Sequence, residues 1–260
     1  MDLKPTAFGL ALWLALGLSA ALPLTAEASE SVVLSAAALR LALAERPPEG
    51  FQPGDSDKPT TFGTVGEMFS AAVSGAPFDV IILPLAQLED LARRSRIDAR
   101  TIHPLGTMHL ALAVRQGTTA PDISTEANLR GVLARAASIA IADPAEGTIT
   151  GPYLSQLFDR LGLAGTLRPK LTLYADGQAA LEALARGDVA LAIGQASEAA
   201  AVTGIDIVPN FPESLQLKIV YAAALAVHPV DRGMAERTMA RLSAPSFQAI
   251  LKTQGFTVAP

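Results

Sequence analysis

Ser138-Ile139-Ala140-Ile141-Ala142-Asp143-Pro144-Ala145-Glu146-Gly147-Thr148-Ile149-Thr150-Gly151-Pro152-Tyr153 is the stretch on which the fold turns. Residues 138–142 carry the small and β-branched side chains of a strand, and Asp143-Pro144 breaks it. A turn rich in glycine and threonine follows. Pro152 then fits the first turn of a helix, where its missing N–H has no intrahelical partner to lose. Leu154, Leu157, Phe158 and Leu161 fall on one helical face, and Gly162 supplies the stop. Strand, polar turn and helix N-terminus together make one unit of an α/β sheet.

The same unit recurs on both sides. Upstream, strands are expected over 31–34, 60–64, 79–83 and 109–114, with helices over 36–44, 66–73 and 85–94. A further helix, capped by Ser124 or Thr125, runs through Ala136. Downstream, 171–174, 178–185 and 189–193 read as strand, helix and strand, with Gly187 placed as a helix C-terminal cap. The apolar run 218–227 is a strand. Amphipathic helices over 232–242 and 245–253 close the chain, the second with Ser243 as its cap. Pro47, Pro48, Pro53 and Pro59 make the stretch between them an irregular loop. Such β–α alternation predicts mostly parallel strands covered by helices.

The beginning of the chain reads as an address. Lys4 precedes an apolar run from Ala7 to Ala21, Pro23 breaks it, and Ala26-Glu27-Ala28 offers small residues for a signal peptidase. Residues 1–28 are therefore a cleavable secretory signal, too short in its apolar part for a span of roughly 20 residues. The chain has no cysteine, which excludes disulfides and a lipid anchor at the junction. A secreted chain without an anchor is retained only behind an outer barrier, so the expected compartment is the Gram-negative periplasm. About 230 residues remain after cleavage, enough for one large or two small cores. The net charge of −5, with no basic stripe, argues against nucleic acid as a partner.

In open α/β sheets, ligands bind beyond the carboxyl ends of the strands, where helices begin. Helix N-termini there offer unpaired N–H groups and about half a positive charge each. Several such turns here are small and polar: Leu34-Ser35-Ala36, Gly63-Thr64-Val65-Gly66, Gly147 to Gly151, Asp176-Gly177-Gln178 and Gly194-Gln195-Ala196-Ser197. Taken singly, each reads as a helix cap. Converging, they would form an anion site without any lysine or arginine.

Three stretches then resemble periplasmic molybdate-binding proteins and their relatives among the solute-binding proteins of ABC transporters, in a divergent branch. They are Val32 to Leu39, Phe62-Gly63-Thr64 through Ser74-Gly75-Ala76-Pro77-Phe78-Asp79-Val80, and Ile139 to Pro144 leading to Gly151-Pro152-Tyr153. Leu161-Gly162-Leu163, Arg186-Gly187-Asp188, Phe211-Pro212-Glu213 and Gly255-Phe256 follow in the family's order. The resemblance implies a type II periplasmic binding protein: two α/β lobes, each a mixed sheet flanked by helices, joined by two crossover strands. One lobe would hold residues 29–110 and 219–260, the other residues 111–218. A small anion would lie between them and an inner-membrane ABC permease would receive it, with the protein a monomer carrying no cofactor and no metal. The ligand-binding residues implied are Ser35, Ala36, Ala38, Thr64, Val65, Gly66, Thr148, Thr150, Gly177 and Gln195.

Three positions depart from the molybdate pattern. Ala38 stands where those binders place a serine, Val65 replaces a second serine, and Gln195 replaces a tyrosine whose hydroxyl contacts the oxyanion. Gln195 offers an acceptor and two donors, which suits a small carboxylate or hydroxy acid.

Catalytic signatures are sparse. His103, His109 and His228 lack metal-ligand spacing, no Gly-x-Ser-x-Gly elbow occurs, and Asp143 before Pro144 reads as a turn former. Arg115 is a solvated hinge residue, and Glu198, opening a helix, complements its dipole. A transport-associated binding protein is the first expectation, a binding module serving a sensor the second, and an enzyme on this fold the third.

Overall fold

The computed structural model describes residues 32–44 and 60–258. The expected leader over 1–28 and the whole proline-interrupted 47–59 stretch lie outside them. The chain runs β1 (Val33–Ala36), α1 (Arg40–Ala44), β2 (Thr60–Gly63), α2 (Val65–Val73), β3 (Val80–Pro84), α3 (Leu85–Arg93) and β4 (His103–Arg115). It continues through α4 (Glu126–Arg135), β5 (Ile139–Ala142), α5 (Thr150–Arg160), α6 (Ala164–Leu167), β6 (Leu171–Tyr174), α7 (Gly177–Arg186) and β7 (Leu191–Gln195). It ends with α8 (Ala196–Ala200), β8 (Ile205–Ile207), β9 (Lys218–Leu225), α9 (Arg232–Leu242) and α10 (Pro245–Thr253).

The strands follow the order β2-β1-β3-β9-β4-β7-β5-β6, with β8 beside β4. Two lobes result, each a mixed sheet flanked by helices. In the first, β1 is parallel to β2 and β3, while β9 returns antiparallel to β3 with Val80 opposite Leu225. In the second, β5 is parallel to β6 and β7. β4 belongs to both: its first half pairs with β9 and its second half with β7 and β8. The chain thus leaves one lobe along β4 and re-enters it at β9. Gln216, just before β9, ties the two passages together, accepting the Leu110 N–H at 2.7 Å and donating to the Leu110 carbonyl at 3.3 Å.

Each lobe has its own apolar core. Ile81, Ile82, Leu83, Leu88, Tyr221 and Phe247 centre the first, and Leu112, Leu129, Ile139, Leu154, Leu157 and Ile193 the second. The central strands of both are buried along their whole length, as strands covered on two faces must be. Asp79 is the exception that organises the first core. Fully buried, its carboxylate accepts the Val32 N–H at 3.1 Å and the N–H groups of Val230 and Asp231. It pins the entry of β1 to the segment that leads into α9.

Local chemistry explains most element ends. Thr64 and Glu67 form a reciprocal capping box on α2, Thr125 caps α4, Asp176 caps α7, and Gly187 closes α7 in the left-handed conformation at φ 85°. Several expected bounds shift. α5 begins at Thr150, two residues ahead of Pro152, because the helix takes in the polar turn itself. β1 sits two residues later than expected. β4 starts at His103 rather than 109, tolerating Pro104 at a register shift between Pro104 and Gly106. Ser243 does not cap α10: it ends α9, its hydroxyl donating to the Met239 carbonyl at 2.8 Å, and Ala244 precedes α10 without a side-chain bond.

Candidate functional site

Between the lobes, the ends of β1, β2, β5, β6 and β7 face one another across a cleft with about 320 Å³ of empty space. That figure includes space open to solvent; the enclosed part, about 20 Å³, is of the order of one water. One wall is Ala36, Ala37 and Ala38 with Gly63, Thr64 and Val65; the other is Thr148, Ile149 and Thr150 with Asp176 and Gly177. Gln195, Glu198 and Tyr221 complete the lining. No lysine, arginine or histidine is among these residues.

Positive potential comes from the backbone instead. α2, α5 and α7 all begin at this cleft, which leaves the first N–H of each, at Val65, Thr150 and Gly177, without an intrahelical acceptor. The side chains nearby are partly engaged in capping. Thr64 Oγ1 accepts the Glu67 N–H at 3.2 Å, and Thr148 Oγ1 donates to the Asp143 carbonyl at 3.2 Å and accepts from Gly151 N at 3.4 Å. Asp176 accepts the Ala179 N–H at 2.7 Å.

The inner end of the cleft is a chain of buried polar groups. The Tyr221 hydroxyl, fully buried on β9, donates to Gln195 Oε1 at 3.0 Å. This leaves the Gln195 amide nitrogen as its free end. The Gln195 backbone N–H in turn donates to Glu198 Oε2 at 2.9 Å, so Glu198 does act at its own helix start as the sequence suggests. Burial, and then the Asp176 charge, push the Glu198 carboxyl up from 4.5 to about 7, against the lowering effect of the Gln195 N–H. Burial, with the nearby Glu198, raises the Tyr221 phenol as well.

This has a measurable consequence for stability. The folded chain holds the Glu198 proton to about 7, whereas an unfolded chain releases it near 4.5. Raising the pH through that window therefore ionises the unfolded state first and lowers stability, by roughly 3 kcal/mol for the isolated group. The loss is complete above the folded value and absent below 4.5. Denaturant titrations from pH 4.5 to 8 should show a fall in the wild type that Glu198→Gln lacks. Parallel profiles would mean that Glu198 ionises freely.

The sequence-derived residues distribute as follows. Ala36, Ala38, Thr64, Val65, Thr148, Thr150, Gly177 and Gln195 line the cleft. Ser35 does not open on it: it is fully buried within β1, its hydroxyl donating to the Ala36 carbonyl at 3.1 Å. Gly66 stands at the rim, where its N–H donates to the Gly147 carbonyl across the lobes at 2.8 Å. Asp143 serves its turn, accepting the Ala145 N–H at 2.9 Å. His109 faces Thr257, at 3.1 Å, outside the lining. Tyr221 and Asp176 were not singled out as site residues by the sequence. A tyrosine inside an otherwise apolar run, and an aspartate heading a helix beside Gly177, were the only signals.

Residues 33–257 match the family described as bacterial extracellular solute-binding protein. The molybdate-binding protein ModA of Escherichia coli K12 is 26% identical over 235 residues, covering 90% of this chain and 91% of that protein. An aconitate isomerase from a Pseudomonas species is 33% identical over 150 residues, 57% of this chain. That match spans 55% of the isomerase, about half its length. Among solved structures, the periplasmic molybdate-binding protein of Azotobacter vinelandii superposes with a TM-score of 0.72 at 19% identity, covering 89% of this chain and 100% of that one. The sulfate-binding protein SubI of Mycobacterium tuberculosis gives 0.63 at 16%, covering 89% and 88%. With matching sequence over nearly all the described residues and the same two-lobed fold, this chain belongs to the bacterial extracellular solute-binding proteins.

Proposed function

We propose that the protein works in the periplasm as a monomer, captures a small anion between its lobes and delivers it to an inner-membrane ABC permease. The observation that carries this reading is the convergence of three helix N-termini on one small cleft that has no cationic side chain. Such a site holds a negative charge by oriented dipoles and N–H donors, and it releases the ligand when the lobes part. The ligand-binding residues on this reading are Ala36, Ala38, Thr64, Val65, Thr148, Thr150, Gly177 and Gln195, with Ser35 and Gly66 supporting them from behind and at the rim.

A small carboxylate suits the lining better than a tetrahedral oxyanion. Two hydroxyls of the molybdate pattern are absent at Ala38 and Val65, and the third position carries Gln195, which keeps amide donors toward the cleft. Thermal unfolding against molybdate, tungstate, sulfate, phosphate and small di- and tricarboxylates tests it. A ligand at a hundredfold its Kd adds about 2.7 kcal/mol, which raises the midpoint by roughly 5 to 10 °C in a chain this size. Shifts with carboxylates alone support the reading. A shift with molybdate of equal size would return the cleft to oxyanions.

A second reading is favoured by two observations: a buried acid, Glu198, lines the cleft, and an aconitate isomerase is among the relatives. On that reading the cleft rearranges a small unsaturated carboxylate. Recovery of the bound carboxylate unchanged after prolonged incubation would discard it.

A further inference from the structure

Glu198 is 8% exposed and forms part of the cleft lining. Two glycines make room for its carboxyl. A Cβ on Gly177 would lie 2.1 Å from Oε2, and one on Gly194 would lie 3.2 Å from it. Oε2 is engaged by the Gln195 N–H, which leaves Oε1 as the oxygen available to a ligand. Asp176, also in the lining, adds a second acid to the same small space.

An anion placed here would meet two carboxylates and no cation. Like charges at such separations destabilise one another strongly, and the least costly relief is a proton on one of the acids. Asp176 is spent on capping α7 and is less enclosed, so the proton belongs to the more deeply buried Glu198.

We propose that Glu198 in its acid form is a ligand-contacting donor, its Oε1–H directed to the bound anion, so that the cleft takes up one proton with each anion it captures. The proposal rests on the reading of the cleft as an anion site and adds to it the residue that confers proton dependence. No bond other than this hydrogen bond forms: the proton comes from solvent and returns there on release.

Among the described residues, the groups around α8 offer Glu198 no cation. Asp176 at the head of α7 and Tyr221 on β9 face it. The remaining charged side chains of the elements packed against α8 turn elsewhere. His109 on β4 meets Thr257, Glu182 on α7 meets Gln178, Arg186 pairs with Asp188, and Asp206 on β8 accepts the Gly117 N–H. Arg115 lies beside Gly187, and His103 is at the opposite end of β4 from it. The raised Glu198 carboxyl, near 7, sets the window.

The test is calorimetric titration of the mature protein with succinate, and with molybdate in parallel, from pH 6 to 8.5, where both probes are ionised. For a proton lost with a pKa near 7, affinity should fall about 30-fold across that range. Repeating the titration in buffers of different ionisation heat should show uptake of close to one proton per anion at pH 8. Glu198→Gln, which keeps a donor but cannot ionise, should bind with a flat profile. Wild-type binding that ignores pH, zero proton uptake, or a Gln variant that keeps the slope overturns the proposal while leaving the anion site standing. Absence of binding by either probe and by every anion of the thermal panel overturns the anion site and the proposal with it.

Discussion

Gly66→Ala should weaken anion capture about 30-fold or more while leaving the ligand-free protein as stable as the wild type. Gly66 is the second residue of α2, and its N–H meets the Gly147 carbonyl of the opposite lobe at 2.8 Å. A Cβ there would lie 2.7 Å from Gly147 Cα and 3.0 Å from its carbonyl oxygen. Both are backbone atoms, so no flexible side chain can yield, and Gly147 already holds a φ of 68° that confines it to the left-handed region. Relief comes only from holding the lobes slightly apart, which loses the Gly66–Gly147 bond and lengthens every contact made across the cleft. Alanine is also the better helix former, by up to about 1 kcal/mol at an interior position. The two effects therefore have opposite signs: α2 is at least as stable, and the closed state is penalised by about 2 kcal/mol, equivalent to that 30-fold loss. Calorimetry on the anion that gives the largest thermal shift, alongside unfolding without ligand, separates them. Wild-type affinity in the Ala variant would mean that this contact plays no part in closure.

Asp79→Ala should be the most damaging single change to stability, lowering it by about 4 kcal/mol and the unfolding midpoint by roughly 10 °C. The carboxylate is fully buried and meets three backbone N–H groups, of Val32, Val230 and Asp231. These sit at the start of β1 and at the entry to α9, two segments separated by almost the whole chain. Removing the acceptor takes from three backbone N–H groups the charged partner they share, and hydrogen bonds to an ionised group contribute more than neutral ones. Asp79→Asn retains one carbonyl oxygen and should recover part of the loss. The check is chemical denaturation of both variants. A loss under 1 kcal/mol for the Ala variant would show that the N–H groups find water or relax outward.

These two positions also show how much was legible in advance. Gly66 was recognised as part of a small, polar strand-to-helix turn, because glycine and hydroxyl residues before an apolar periodic run mark helix starts wherever they occur. That Gly66 touches Gly147 was not, since 80 residues of chain lie between them and only the meeting of two lobes brings them together. Asp79 was read as the first residue of a strand, and nothing local distinguishes a capping aspartate from one that gathers three distant amides. β8 went unseen for a related reason: three residues at the side of β4, two of them exposed, carry no periodicity. Ser243 misled because serine before Pro245 imitates a cap, while the preceding helix claimed its hydroxyl first.

By itself, then, the sequence determined most of the succession of strands and helices, the small polar turns at Thr64 and Asp176, the cap at Gly187, and so the set of turns from which a cleft could be built; β8 and α6 it left out, and the α4 cap it left between Ser124 and Thr125. These follow from interactions within a few residues: side-chain periodicity, capping hydrogen bonds and the backbone freedom of glycine. Only the tertiary structure decided that Glu198 is a buried acid in the cleft and that Tyr221 reaches across to Gln195. It also decided that Ser35 faces away from the cleft and that the lobes meet at two glycines. The physical reason is that burial and charge proximity depend on which distant segments pack together, and a carboxyl becomes a proton carrier only once packing has removed its water.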